Sequence, residues 1–212
     1  MQISTFSREL AKTAEAALAS TFAKIDQTAR TNTEHVLDCF KSCGVSESFF
    51  TPSTGYGSGD RGRDALDKLA AEIFRAEAGF IRPSLLSGTH TLAVALYGIL
   101  RPGDIMLSVT GRPYDTLTKV LGLDQTGDEK PQISSEGSLR DLGVDYRQLE
   151  LLPDPFTAEE PIDVPAMVEF IRRHGEKVKM VYVQRSRGYA FRPALTVSQI
   201  RRAAYEVEKV SR

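Results

Sequence analysis

The sequence predicts an α/β fold with a largely parallel sheet, and three observations lead there. Short apolar runs at 104–109 and 179–183 have the length and side chains of buried strands, and 144–149 alternates as a strand does. Amphipathic stretches with helical spacing separate them, the order expected of parallel strands joined by helical crossovers. Polar, glycine-bearing loops follow the strands that should end near Pro83, Val109 and Val183, at the sheet edge where ligands bind in such folds.

Composition narrows the function classes. The 212 residues carry a net charge of −1 and are 41% hydrophobic, which suits one large or two small soluble domains. That balance gives no electrostatic footprint for nucleic acid. No apolar run approaches the ~20 residues of a membrane-spanning helix. The start, MQISTFSRELAKTAEAALASTFAKID, mixes acidic and basic residues and lacks the apolar block of a signal peptide. Cys39 and Cys43 stand four apart with no histidine pair beside them. The expectation is reduced thiols in a cytoplasmic protein, and no metal site.

In chain order, 7–29 reads as one helix and 31–43 as a second, with Asn32 or Thr33 as its cap and Gly44 as its stop. Residues 1–44 then form an N-terminal helical segment and 45–212 the α/β domain. The stretch TPSTGYGSGDRGRD (51–64) is a glycine-rich loop with a tyrosine and two arginines. It is either a solvated surface loop or a binding loop, since arginine suits planar and phosphate anions. A helix spans 64–76 on Leu66, Leu69, Ala70, Ile73 and Phe74, and 77–83 leads on as a strand.

Ser87-Gly88-Thr89-His90 enters a helix over 89–100. A small-residue loop there offers free N–H groups, at the positive end of the helix dipole, to a phosphate or carboxylate. Alternatively, Ser87 is an ordinary N-cap and Gly88 only makes the turn. The strand 104–109 opens into Thr110-Gly111-Arg112-Pro113-Tyr114, and a helix follows to about Leu121. Residues 122–143 show no period and read as a surface excursion. After the strand 144–149 and a proline-rich connection, Asp163 caps a helix that ends at His174-Gly175. The strand 179–183 opens into the loop 184–193, and a last helix fills 196–210.

Four segments, TPSTGYGSGDRGRD, RPSLLSGTHTLAVALYGILRPGD, SVTGRPYDTL and VYVQRSRGYAFRP, together resemble the pyridoxal-phosphate-dependent family of methionine gamma-lyase-like, or cystathionine beta-lyase-like, proteins linked to aluminium resistance. The resemblance covers about 49–196. It implies the large domain of the fold-type-I transferase architecture, an α/β/α sandwich. It also implies an amino-acid substrate and an active site shared between subunits of a homodimer or homotetramer. By this resemblance Ser87, Gly88, Thr89 and His90 form the cofactor phosphate loop, with His90 either beside the ring or closing the helix turn. Tyr114 is the ring-stacking residue and the candidate catalytic one. Tyr56 and Arg61 would reach the phosphate across the dimer interface. Gln184, Arg185, Ser186 and Arg187 would face the cofactor's hydroxyl side or the substrate carboxylate. Ser186 is assigned to the cofactor. Arg185 and Arg187 form either a carboxylate clamp or structural ion pairs.

The family's chemistry also needs a lysine to hold the cofactor aldehyde and an acidic partner for the ring nitrogen. The lysines here fall on predicted helices, in the 122–143 excursion or at strand starts. The chain is therefore expected to be the N-terminal half of a longer carbon–sulfur lyase, truncated before that lysine. The competing expectation is a non-catalytic module that binds a phosphate ligand by itself.

Overall fold

The computed structural model describes residues 4–54, 59–123, 136–154 and 158–211. The chain divides into two compact units, 1–85 and 86–212.

In the first unit one helix, α1 (Thr5–Ser42), replaces the expected pair. The stretch contains no glycine or proline. Thr28 and Thr31 donate their hydroxyls back to the carbonyls of Lys24 and Gln27, so the polar cluster continues the helix instead of capping a new one. Residues 4–34 are exposed throughout. The helix packs only toward its end, where Cys39 is buried and His35 Nε2 lies 3.1 Å from the Ile73 carbonyl. Cys39 and Cys43 are both free thiols.

Helix α2 (Arg61–Phe74) starts earlier than expected, because Asp60 caps it by accepting the Arg63 N–H at 3.0 Å. Arg61 thus belongs to a first helical turn and not to the glycine-rich loop. The expected strand at 77–83 does not form. Asp67 Oδ1 accepts the Ile81 N–H at 2.8 Å and the Arg82 guanidinium at 2.7 Å. The backbone donor that a sheet ladder would use is committed to a side chain. Gly79 closes the same corner, where a Cβ would collide with the Asp67 carbonyl.

The second unit runs α3 (Gly88–Ile99), β1 (Ile105–Ser108), α4 (Asp115–Leu121), β2 (Asp145–Gln148), α5 (Val164–His174), β3 (Val178–Tyr182) and α6 (Val197–Val210). Its strands are parallel in the order β2-β1-β3. Met106 stands opposite Tyr146 on one side and Met180 on the other. The register shifts between Ile105 and Met106, leaving Lys179 as the extra residue of a bulge.

Alternation along β1 divides the core in two. Met106 joins Leu96, Leu100, Leu117, Leu121, Leu139 and Val144 on the side of α3 and α4. Leu107 and Val109 join Ile162, Met167, Ile171, Leu195 and Ala203 on the side of α5 and α6. A strand covered on both faces has no polar side, which is why it reads as an unbroken apolar run. Asp163 caps α5 by accepting the Ala166 N–H at 3.0 Å, and a Thr196–Gln199 capping box starts α6.

The expected excursion at 122–143 is described at 122–123 and from 136 onward, and two residues of that end leave the surface. Ser138 and Leu139 are 4% and 2% exposed. The Leu139 N–H bonds the Val120 carbonyl at 2.9 Å, which draws the segment under α4. Among the described residues no helix is long and apolar enough to cross a membrane.

Candidate functional site

The site grows from the loops after β1 and β3. Beyond β1 the chain turns at Gly111, whose φ of +74 admits glycine readily. A Cβ there would stand 2.5 Å from the Glu150 carboxylate. The Ser108 hydroxyl donates to the Gly111 carbonyl at 2.6 Å, and the Gly111 N–H bonds the Leu149 carbonyl at 2.8 Å. The turn delivers Tyr114 to the start of α4, 40% exposed.

The loop after β3 meets it. Gln184 is the pivot: its N–H bonds the Thr110 hydroxyl at 3.0 Å, and its Oε1 accepts the Tyr114 N–H at 2.7 Å. Its Nε2 donates to the Ser186 carbonyl at 3.1 Å. Gly188, at φ +56, lets the chain pass beside the Tyr114 ring, where a Cβ would stand 3.2 Å from Cδ2. Tyr189 stacks on Tyr114 with centroids 5.9 Å apart and planes 24° apart. A hydrogen bond with Tyr189, reinforced by its charge, raises the Tyr114 hydroxyl above the ordinary phenol range. At neutral pH Tyr114 therefore offers a proton and a ring face, and is not a ready base.

Helix α3 starts on the same face. Ser87 caps it by accepting the His90 N–H at 3.1 Å, and His90 Nδ1 accepts the Leu86 N–H at 3.3 Å. That geometry gives His90 the turn-closing role. The N–H groups of Gly88 and Thr89 have no hydrogen-bond partner among the described residues. Beyond its chain neighbours and the backbone of its own helix, no atom of the described residues lies within 4 Å of where a Gly88 Cβ would stand. Thr89 and Thr116 share a hydroxyl–hydroxyl bond of 2.7 Å, which holds the first turns of α3 and α4 side by side. Open amides, a helix dipole and two hydroxyls form a donor set suited to an anion.

The structure thus ties the Ser87–His90 turn to the first turn of α4 through Thr89 and Thr116, and Tyr114 to Ser186 through Gln184. Arg185 and Arg187 are both exposed. Arg187 lines a cleft of about 480 Å³ with Arg112, Arg192, Glu150, Asp154 and Gln184. Arg61 lies in the first unit, its guanidinium 5.0 Å from the centroid of Phe49. Tyr56 falls outside the described residues. The first unit holds its own apolar cleft of about 550 Å³, bounded by Phe40, Phe49, Leu66 and Ile81, and none of the expected site residues lines it.

Sequence reasoning overlooked Thr116, Tyr189 and Arg192. It placed Gln184 on the right loop without seeing its side chain as the bridge. The available signal was positional: Gln184 and Thr110 follow closely on two strands, and neighbouring parallel strands bring such residues together.

Comparison with known proteins places the chain in a family. The family model described as methionine gamma-lyase matches residues 7–212. YnbB of Bacillus subtilis (strain 168), a protein without an assigned activity, is 39% identical over 96% of this chain and 45% of its own. A carbon–sulfur lyase involved in aluminium resistance from Clostridium novyi NT superposes with a TM-score of 0.85 at 35% identity, over 98% of this chain and 46% of its own. A proposed cystathionine beta-lyase involved in aluminium resistance from Clostridium acetobutylicum gives 0.83 at 35% identity, over 95% and 44%. The chain spans less than half the length of each of these relatives.

Proposed function

This chain belongs to the methionine gamma-lyase family, and we propose that it carries the phosphate- and ring-facing part of a pyridoxal-phosphate-dependent carbon–sulfur lyase. The substrate class is a sulfur amino acid of the cystathionine or methionine type. The domain that carries this site is read as the large domain of a fold-type-I transferase. The observation that carries the reading is the Thr89–Thr116 bond, which ties the open N-terminus of α3 to the first turn of α4, the helix that Tyr114 caps.

In this reading the Gly88 and Thr89 amides, with the Ser87 and Thr89 hydroxyls, hold the phosphate. Tyr114 covers one face of the ring and keeps water from it. Ser186 faces the cofactor, and Arg185 and Arg187 bind the substrate carboxylate, for which a guanidinium fork is well shaped. Pyridoxal phosphate, when bound, supplies the electron sink that lets an amino acid lose its α proton and then a thiol. Tyr114 holds its own proton at Oη, available for donation at the departing group. Tyr56 and Arg61 reach a second copy's phosphate in a homo-oligomer. The protein works in the cytoplasm, where free Cys39 and Cys43 remain reduced.

The test is to express the reading frame that carries this chain and record its visible spectrum with and without added cofactor. Thiol release from cystathionine and methionine is measured alongside. A bound chromophore and thiol release, both lost in Gly88→Asp, support the proposal. A colourless protein in excess cofactor overturns it.

A further inference from the structure

Arg192 is the most unusual charged group in the described chain. It is 7% exposed, yet its guanidinium is directed at backbone carbonyls. Nη2 donates to Gln184 O at 3.1 Å and to Ser186 O at 2.8 Å, and Nη1 donates to Pro193 O at 3.1 Å. A buried cation is costly unless its hydrogen bonds are made, so this arrangement persists only if the loop holds one conformation. The backbone closes the same loop, with the Leu195 N–H on the Arg185 carbonyl at 3.0 Å and the Ala190 N–H on Arg187 at 3.0 Å.

What this lariat carries is Gln184, Gly188 and Tyr189, all of which touch Tyr114. Gln184 Oε1 takes the Tyr114 N–H, and Gly188 admits its ring. We infer that Arg192 is a positioning residue that, through Gln184, fixes the orientation of Tyr114 against a bound aromatic ligand. The planar fork matters, because Nη2 holds the Gln184 and Ser186 carbonyls while Nη1 holds that of Pro193, a three-acceptor span that an ammonium on a flexible stem would not cover. The ring-facing role of Tyr114 rests on the function proposed above; the mechanical link from Arg192 to Tyr114 does not.

The experiment separates the two. The full reading frame is labelled with 3-fluorotyrosine, and the Tyr114 resonance is identified by its loss in Tyr114→Phe. In Arg192→Lys and in Gln184→Ala, with helical circular dichroism unchanged, the Tyr114 signal should shift or broaden. Pyridoxal phosphate should bind about tenfold more weakly, the scale of one lost hydrogen bond. Inorganic phosphate, held at Gly88 and Thr89, should bind within twofold of the unsubstituted protein. An unmoved Tyr114 resonance in both variants overturns the inference. So does an equal loss of both ligands, which reads as general disruption. If Arg192→Lys does not fold, Arg192→Gln, read in the same way, decides. If the unsubstituted protein binds no pyridoxal phosphate, the proposed function fails while the fluorine signal still judges the link.

Discussion

Strand β1 and helix α1 are opposites in how they use apolar residues. All four residues of β1 are buried, whereas Cys39 is the only buried residue of α1's 38. Phe6, Leu18, Phe22 and Ile25 of α1 are all large, apolar and exposed. Hydrophobicity alone therefore does not locate the core; the number of covering layers does. β1 has helices on both faces and a strand on each edge. The first thirty residues of α1 rest on backbone hydrogen bonds and helix propensity.

Substitutions can break that contrast or sharpen it. Leu107→Ala empties a fully buried position and should destabilise the second unit by about 2–5 kcal/mol in urea unfolding. A cost below 1 kcal/mol would mean the two-sided core collapses easily. Asp163→Ala removes the α5 cap and should cost about 1 kcal/mol by the same measurement. A smaller effect is expected at Asp67, in the first unit. Its hydrogen bond to Arg82 and the Ile81 N–H hold its carboxyl below the ordinary range. A depressed carboxylate contributes stability above its unfolded pKa of about 3.9, and that contribution fades as pH falls through the lower folded value. The thermal midpoint of the first unit should therefore fall below about pH 4, and Asp67→Asn should flatten that dependence. Smallest of all, Leu18→Ala on α1 should change stability by less than ~0.5 kcal/mol. A loss near that of Leu107→Ala would reveal a surface that covers α1.

The parts legible in the sequence were those with dense local signals. Strands β1 and β3 showed as apolar runs, and α5 and α6 announced themselves through Asp163 and Thr196. The phosphate-loop candidate at Ser87–His90 stood out because glycine and hydroxyls crowd a helix start. What stayed hidden depended on distant partners. The polar cluster Thr31-Asn32-Thr33 looked like a cap, yet Thr31 bonds backward to Gln27 and the helix continues. Residues 77–83 looked like a strand until Asp67 claimed the Ile81 donor. Leu139 is one buried residue in a polar stretch, too isolated to make a period. Nothing in the sequence singles out Arg192, because only the folded loop shows which carbonyls surround it.

The central place of β1 has a consequence in time. Met106 pairs with Met180, some seventy positions further along the chain. At a synthesis rate of about 5–20 residues per second, β1 waits roughly 4–15 s for that neighbour to be made. Until β2 is made, some forty positions on, its apolar residues have no strand to join, until β3 is made they have one edge neighbour of two, and parallel pairings this far apart also close slowly once the strands exist. The segment most completely buried in the finished protein is thus one that a nascent chain must keep sheltered longest, and a chaperone holding 105–109 would act at that stage.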